Sequence, residues 1–179
     1  VIIPDTPEWV PPALAGTSIE TLPPVHLNEV IGLLEFISSR GGQADSFAMS
    51  KELGKDFGQI LFLAKAAELL DFVDTPKNAI VLTDFGKKFI QGDVNVRKRV
   101  LHESLKQLRL AQLLEQKLRN SDNFSLAYEL VLGLVTEWLP SESASAVLDT
   151  LIQWGRYGEL FGYNDDTKEI YLDVGQEHA

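Results

Sequence analysis

Apolar residues recur at helical spacing through most of the chain, and twice that pattern gives way to strict alternation. Leu27, Val30, Ile31, Leu34 and Ile37 form one helix face, and Gly41-Gly42 ends it. A short helix is expected over 46–53 with Gly54 at its end, and a third over 56–69 on Ile60, Leu61, Leu63, Ala64 and Ala67. Residues 67–83, AELLDFVDTPKNAIVLT, then run from helix into a hairpin. They hold a strand, a polar turn (Thr75-Pro76-Lys77-Asn78) and an alternating return strand. Thr83 is placed to cap a short helix containing Phe85 and Phe89.

The same switch recurs 90 residues later in 157–173, YGELFGYNDDTKEIYLD, with Asp165-Asp166-Thr167-Lys168 as its turn. At that offset Leu70 aligns with Leu160, Val73 with Tyr163, Asp74 with Asn164, Ile80 with Ile170 and Leu82 with Leu172. Ahead of it the periodicity predicts one long helix over 94–119, bounded by Asn120, Ser121 and Asp122. A helix over 125–139 follows on Leu126, Leu130, Val131, Leu134 and Val135. Pro140 stops it, and Ser141 is expected to cap a last helix ending near Trp154. A helix that runs into a two-stranded flap is the core of a winged helix. The expected fold is therefore mainly α with small antiparallel β-hairpins, in two tandem winged-helix-like modules packed together, 25–92 and 93–174. Modules of about 70 residues lie near the lower limit for independent stability, which favours their packing together. Residues 175–179 are expected to form a frayed tail.

Residues 1–24 hold six of the eight prolines and read as an extended, semi-stiff linker. Trp9 and Val10 are placed to dock part of it on the body. The chain opens on Val1 and not on Met, so a piece of a longer protein is expected; its first residues lack a basic n-region and do not read as a secretory signal. No apolar run approaches the ~20 residues that cross a bilayer, so direct membrane insertion is not expected. With no cysteine among 179 residues, disulfides, thiolate zinc sites and cysteine nucleophiles are all excluded, which fits a reducing cytosol.

Catalytic patterns are missing. A phosphate-cradling loop needs G-x-x-x-x-G-K-[ST]; neither Gly41-Gly42 nor Gly54-Lys55 continues that way, and Asp56 stands where the magnesium-binding hydroxyl would. His26, His102 and His178 lack a second ligand at helical spacing, and Asn164-Asp165-Asp166 lacks the glycine and distal glutamate of a calcium loop. No nucleophile elbow is present. The chain is expected to be no enzyme and to need no cofactor.

Charge argues against nucleic acid, although many winged helices bind it. The net charge is −10 and the pI about 4.7. The segment 56–65, in the position that reads DNA, is nearly all apolar, and 141–157 carries Arg156 as its one base. One basic stretch stands out: between Arg97 and Arg119 lie seven Lys/Arg and two Glu. If this is a single helix, Lys98, Arg99, His102, Lys106, Arg109 and Lys117 share about a third of its circumference. Val100, Leu101, Leu105, Leu108, Leu114 and Leu118 then cover the other side. Such a strip is either a solvated face or a dock for an acidic partner, anionic headgroups or a small anionic effector. Trp154 and Tyr157, at i and i+3, read as anchors between helix and wing. Arg156 between them is placed to hold Glu159 or Asp165.

The stretch 148–166, LDTLIQWGRYGELFGYNDD, resembles the closing motif of the AAA-associated C-terminal domain. That domain follows the ATPase of ABC importers of the nitrate/sulfonate/taurine/bicarbonate type. Residues 27–42 (LNEVIGLLEFISSRGG), the 45–53 stretch, AAELLDFV and LTDFGKKF resemble the same family. The likeness spans 24–173, and Trp154-Gly155-Arg156-Tyr157 is its most specific part. It implies an accessory or regulatory domain of an ATP-binding subunit, cytoplasmic and peripheral to the inner membrane through the transporter complex. Its partners would be its own upstream ATPase domain, a second copy in a homodimer or a small anionic effector. A winged-helix transcriptional regulator, or a plain dimerisation module, remains the alternative.

Overall fold

The computed structural model describes residues 18–174. Trp9, Val10, His178, most of the 1–24 linker and the 175–179 tail lie outside the described residues. Helix α1 (Leu27–Ser39) buries the apolar face its spacing predicts. It ends where Gly41 and Gly42 take positive φ of 84° and 94°, a backbone that glycine enters without a Cβ clash. The turn leads into a strand the apolar pattern does not announce, β1 (Gln43–Asp45). The Asp45 carboxylate then accepts the N–H groups of Phe47 and Ala48 and starts α2 (Ser46–Leu53), which Gly54 ends in a left-handed conformation. Helix α3 (Phe57–Leu69) begins with the Gln59 side chain accepting the Asp56 N–H at 3.3 Å. Strands β2 (Val73–Asp74) and β3 (Ala79–Leu82) form the hairpin, and β1 pairs with β3, giving an antiparallel sheet in the order β1-β3-β2. Thr83 Oγ1 accepts the Gly86 N–H at 2.9 Å to cap α4 (Asp84–Gln91), as expected.

The second half departs from expectation in three places. The helix over 94–119 is two, α5 (Val94–Lys106) and α6 (Arg109–Arg119). Leu108 between them is extended and buried, and the Glu20 carboxylate accepts the Arg109 N–H at 2.9 and 3.3 Å. An amide at a helix start has no intrahelical partner, and an acid there also meets the positive end of the helix dipole. Second, Ser125–Ala127 is a strand, β4, and only Tyr128–Trp138 is helical (α7). A 3₁₀ turn at Asp122–Phe124 redirects the chain, so that Ser125, Leu126 and Ala127 pair with another strand. Third, α8 (Ala144–Tyr157) starts after Ser143 rather than Ser141, and Ser143 makes no side-chain capping bond. Strands β5 (Phe161–Asn164) and β6 (Glu169–Leu172) complete a sheet in the order β4-β6-β5. The chain is thus mainly helical with two small antiparallel three-stranded sheets.

The two halves repeat one connectivity: α1-β1-α2-α3-β2-β3, then α6-β4-α7-α8-β5-β6. The return strands correspond at the 90-residue offset, so Ile80 matches Ile170 and Leu82 matches Leu172. The helix ends do not. Asp71 and Glu159, both left-handed at φ 62° and 54°, are the equivalent pair. Phe72 bonds the Ala67 carbonyl as Leu160 bonds that of Gly155. Leu70 therefore matches Gly158 and Val73 matches Phe161, which corrects the pairing with Leu160 and Tyr163. The second hairpin is two residues longer, and the extra length sits in its first strand: β5 has four residues where β2 has two, while both turns have four.

One core runs through both halves. Ser104 Oγ on α5 donates to the Leu70 carbonyl at the end of α3. Residues 20–25 form a strap: Glu20 caps α6, Leu22 and Pro23 are buried, and the Val25 carbonyl accepts the Trp154 indole N–H at 3.2 Å. Gln153 Oε1 accepts the N–H of Leu27, so a side chain of α8 caps α1. Among the described residues no helix is long and apolar enough to cross a membrane.

Candidate ligand-binding site

A recess of about 700 Å³ opens where α8 faces β5, α5 and the start of α7. That volume lies within the range of small-molecule sites. One stripe of α8 supplies its floor: Asp149, Ile152, Gln153, Arg156 and Tyr157, at i, i+3, i+4, i+7 and i+8. Tyr128, the first residue of α7, and Tyr163 of β5 form the wall at the Asp149 end, with ring centroids 6.1 Å apart and edge to face. Lys98 of α5 closes the recess.

Local sequence explains this arrangement. Gly155 faces Phe161, and a Cβ there would stand 2.7 Å from the Phe161 ring, so glycine lets β5 lie close on α8. At Gly158 a Cβ would meet the Leu105 side chain at 3.0 Å and the His102 backbone at 3.2 Å, so glycine also lets α5 approach. His102 Nδ1 donates to the Gly158 carbonyl at 2.8 Å and fixes that approach. Trp154 faces away from the recess, fully buried under the strap.

Within the recess the Tyr128 hydroxyl donates to Asp149 Oδ1 at 2.7 Å. Burial first, then this bond and the charge of Asp149, push the Tyr128 pKa well above that of a free phenol. Tyr128 therefore stays a neutral donor, and Asp149 keeps its other oxygen to offer. Lys98 Nζ sits 2.9 Å from Glu159 Oε1. Arg156 is exposed, and its guanidinium has no ion pair or hydrogen bond among the described residues. The expected clamp from Arg156 to Glu159 or Asp165 is not formed; Lys98 holds Glu159 instead, because α5 comes against the end of α8. The arrangement can bind and orient a ligand, with a cation at one end of the α8 stripe and a carboxylate at the other.

The six residues of the basic stretch do not form one strip. The break at Gln107-Leu108 turns α6 away, and Arg109 is 6% exposed. Lys98 joins the recess and His102 supports it from behind, while Arg99 is exposed and Lys106 and Lys117 are half-buried elsewhere. Of the Trp154, Arg156 and Tyr157 motif, Arg156 and Tyr157 line the recess. Sequence reasoning missed Tyr128, Asp149 and Tyr163. Asp149 was within reach, since it lies two turns before Arg156 on the same stripe; the tyrosines come together only in the fold. Among the described residues no cluster of three His, Cys, Asp or Glu is placed to hold a metal ion.

The equivalent face of the first half is chemically different. There Phe47 stacks on Phe57 at 4.3 Å, and Phe47, Leu61 and Phe62 are 53%, 49% and 55% exposed. The correspondence sets Leu61 where the second half has Asp149, and Glu68 where it has Arg156.

Comparison with curated proteins and with solved structures returns no match. The family model for the C-terminal AAA-associated domain matches residues 47–164, well over half of the chain. The matched segment contains every residue that lines the recess. The chain belongs to the C-terminal AAA-associated domain family.

Proposed function

We propose that this chain is a non-catalytic regulatory domain of the ATP-binding subunit of an ABC importer of the nitrate/sulfonate/taurine/bicarbonate class. It would work on the cytoplasmic side, held at the inner membrane by the transporter complex. Membership of an AAA-associated family supports an accessory role beside an ATPase, and the missing phosphate-loop pattern supports a part other than the motor. The order helix, strand, helix, helix, hairpin in each half supports reading both as winged-helix-like modules, with α3 and α8 in the recognition position.

The observation that carries the reading is Arg156, a guanidinium with no partner among the described residues, at the edge of a tyrosine-lined recess. An arginine left without a carboxylate in a concave site is suited to an anionic group, which it can hold through two parallel hydrogen bonds. The domain would sense a small anionic effector there and pass its presence to the ATPase. Duplex DNA is disfavoured: the exposed Phe47, Leu61 and Phe62 and the acidic wings are the opposite of what phosphates attract.

The test compares ATP hydrolysis by the full-length subunit with hydrolysis by a truncation lacking this domain, each with and without transported anion. The expected result is that truncation keeps hydrolysis and abolishes its response to the anion. Identical rates in all arms overturn the proposal.

A further inference from the structure

A simple anion site would surround its ligand with cations and neutral donors. This recess does not. Its α8 stripe carries Arg156 at one end and Asp149 at the other, seven residues and roughly 10 Å apart along the helix axis. Asp149 is exposed, and Tyr128 takes up one carboxylate oxygen from the side, which orients the group and leaves the second oxygen available. Tyr128 and Tyr163 line the recess together with Asp149, their rings edge to face. A carboxylate flanked by aromatic rings is a favourable environment for an ammonium group, through ion pairing and attraction to the ring faces. Ile152, nearly buried, and Tyr157 lie between the two ends and offer an apolar floor.

From this juxtaposition we infer that the recess binds a small zwitterion, with an acid group on Arg156, an ammonium group between Asp149, Tyr128 and Tyr163, and a short apolar chain between them. The inference rests on the effector reading above and narrows its ligand. Charge separation gives it a length rule. In α-amino acids the two charges sit on neighbouring atoms and cannot reach both ends of the stripe, whereas ω-amino carboxylates and ω-amino sulfonates can. Lys98 is already engaged by Glu159 and serves as a second cation near the acid end.

The 179-residue chain is titrated calorimetrically with ω-amino carboxylates and ω-amino sulfonates of increasing chain length. The matched alkanoates, alkanesulfonates and alkylammonium ions are titrated beside them. Zwitterions should bind at least about tenfold more tightly than either one-charge analogue, with an optimum chain length, because a charged hydrogen bond is lost at one end. Asp149→Asn should remove the advantage of the ammonium group and spare alkanoate binding; Arg156→Gln should do the reverse. Both side chains are exposed, and an unchanged melting temperature shows that the variants fold. Equal affinity for zwitterions and plain anions, indifference to Asp149→Asn, or no binding at all overturns the inference. Zwitterion binding without any change in ATP hydrolysis by the full subunit leaves the inference standing and overturns the regulatory reading. Plain anions that bind equally and do regulate hydrolysis have the opposite meaning.

Discussion

The indole of Trp154 donates its N–H to the carbonyl of Val25 at 3.2 Å, a bond that spans 129 residues of sequence. It fastens the strap ahead of the first helix to the last helix of the fold. The ring is fully buried, so the bond and the packing act together. Trp154→Phe should cost about 1–3 kcal/mol, mainly from the unpaired Val25 carbonyl. Trp154→Ala should cost about 3–5 kcal/mol, because a large cavity opens in the shared core. Urea unfolding followed by far-UV circular dichroism measures both, and a Trp154→Phe variant as stable as the parent would disprove the hydrogen-bond assignment.

Gly155 and Phe161 make a close contact between α8 and β5. Gly155→Ala should destabilise by about 1–3 kcal/mol through overpacking. The obstacle is the Phe161 ring itself, so Phe161→Leu in the same chain should return part of the loss. The double mutant then falls short of the sum of the single mutants, as expected for residues in contact. Additive losses would place the strain elsewhere.

Asp71 ends α3 in the left-handed region at φ 62°, where a Cβ is unfavourable. Asp71→Gly should stabilise by about 0.5–1 kcal/mol, the relief of strain exceeding the added freedom of the unfolded chain. Its counterpart Glu159 also sits at positive φ but holds Lys98, so Glu159→Gly should gain less. Melting temperatures of the two variants give the comparison.

Tyr128 predicts a response to alkali. Its pKa in the folded state lies above that of the unfolded chain, so the native state holds this proton more firmly. The contribution to stability is complete below about pH 10, the ordinary phenol value, and is lost as pH rises above it. Phenolate absorbance should show one tyrosine ionising later than free tyrosine, and Tyr128→Phe should remove that late step. The same variant should flatten the fall in stability above pH 10.

Sequence patterning carried the long elements, because buried stripes of five or more residues leave a period that can be read directly. The α1 face, the Thr83 cap and both hairpins follow from it. Strands β1 and β4 did not show: each has three residues, too few for alternation, and exists because β3 and β6 offer partners far along the chain. The break at Leu108 was hidden for a related reason. Leucine suits the helical period, and only the Glu20 carboxylate, 89 residues away, makes a new helix start favourable at Arg109. The recess was half legible. Arg156 and Tyr157 stood out, and Lys98 did so for a strip that the fold divides. Tyr128 and Tyr163 reached the site through tertiary packing.

Helix α8 is a wall with two tenants. Gln153 lines the recess and also caps α1, while its neighbour Trp154 holds the strap. A shift of α8 by a fraction of an ångström toward a guest in the recess therefore changes tension at residues 25–27. Those residues join the strap to α1, and the far end of the strap, Glu20, caps α6. Recess and strap share one lever arm, and neither can be repacked without the other registering it.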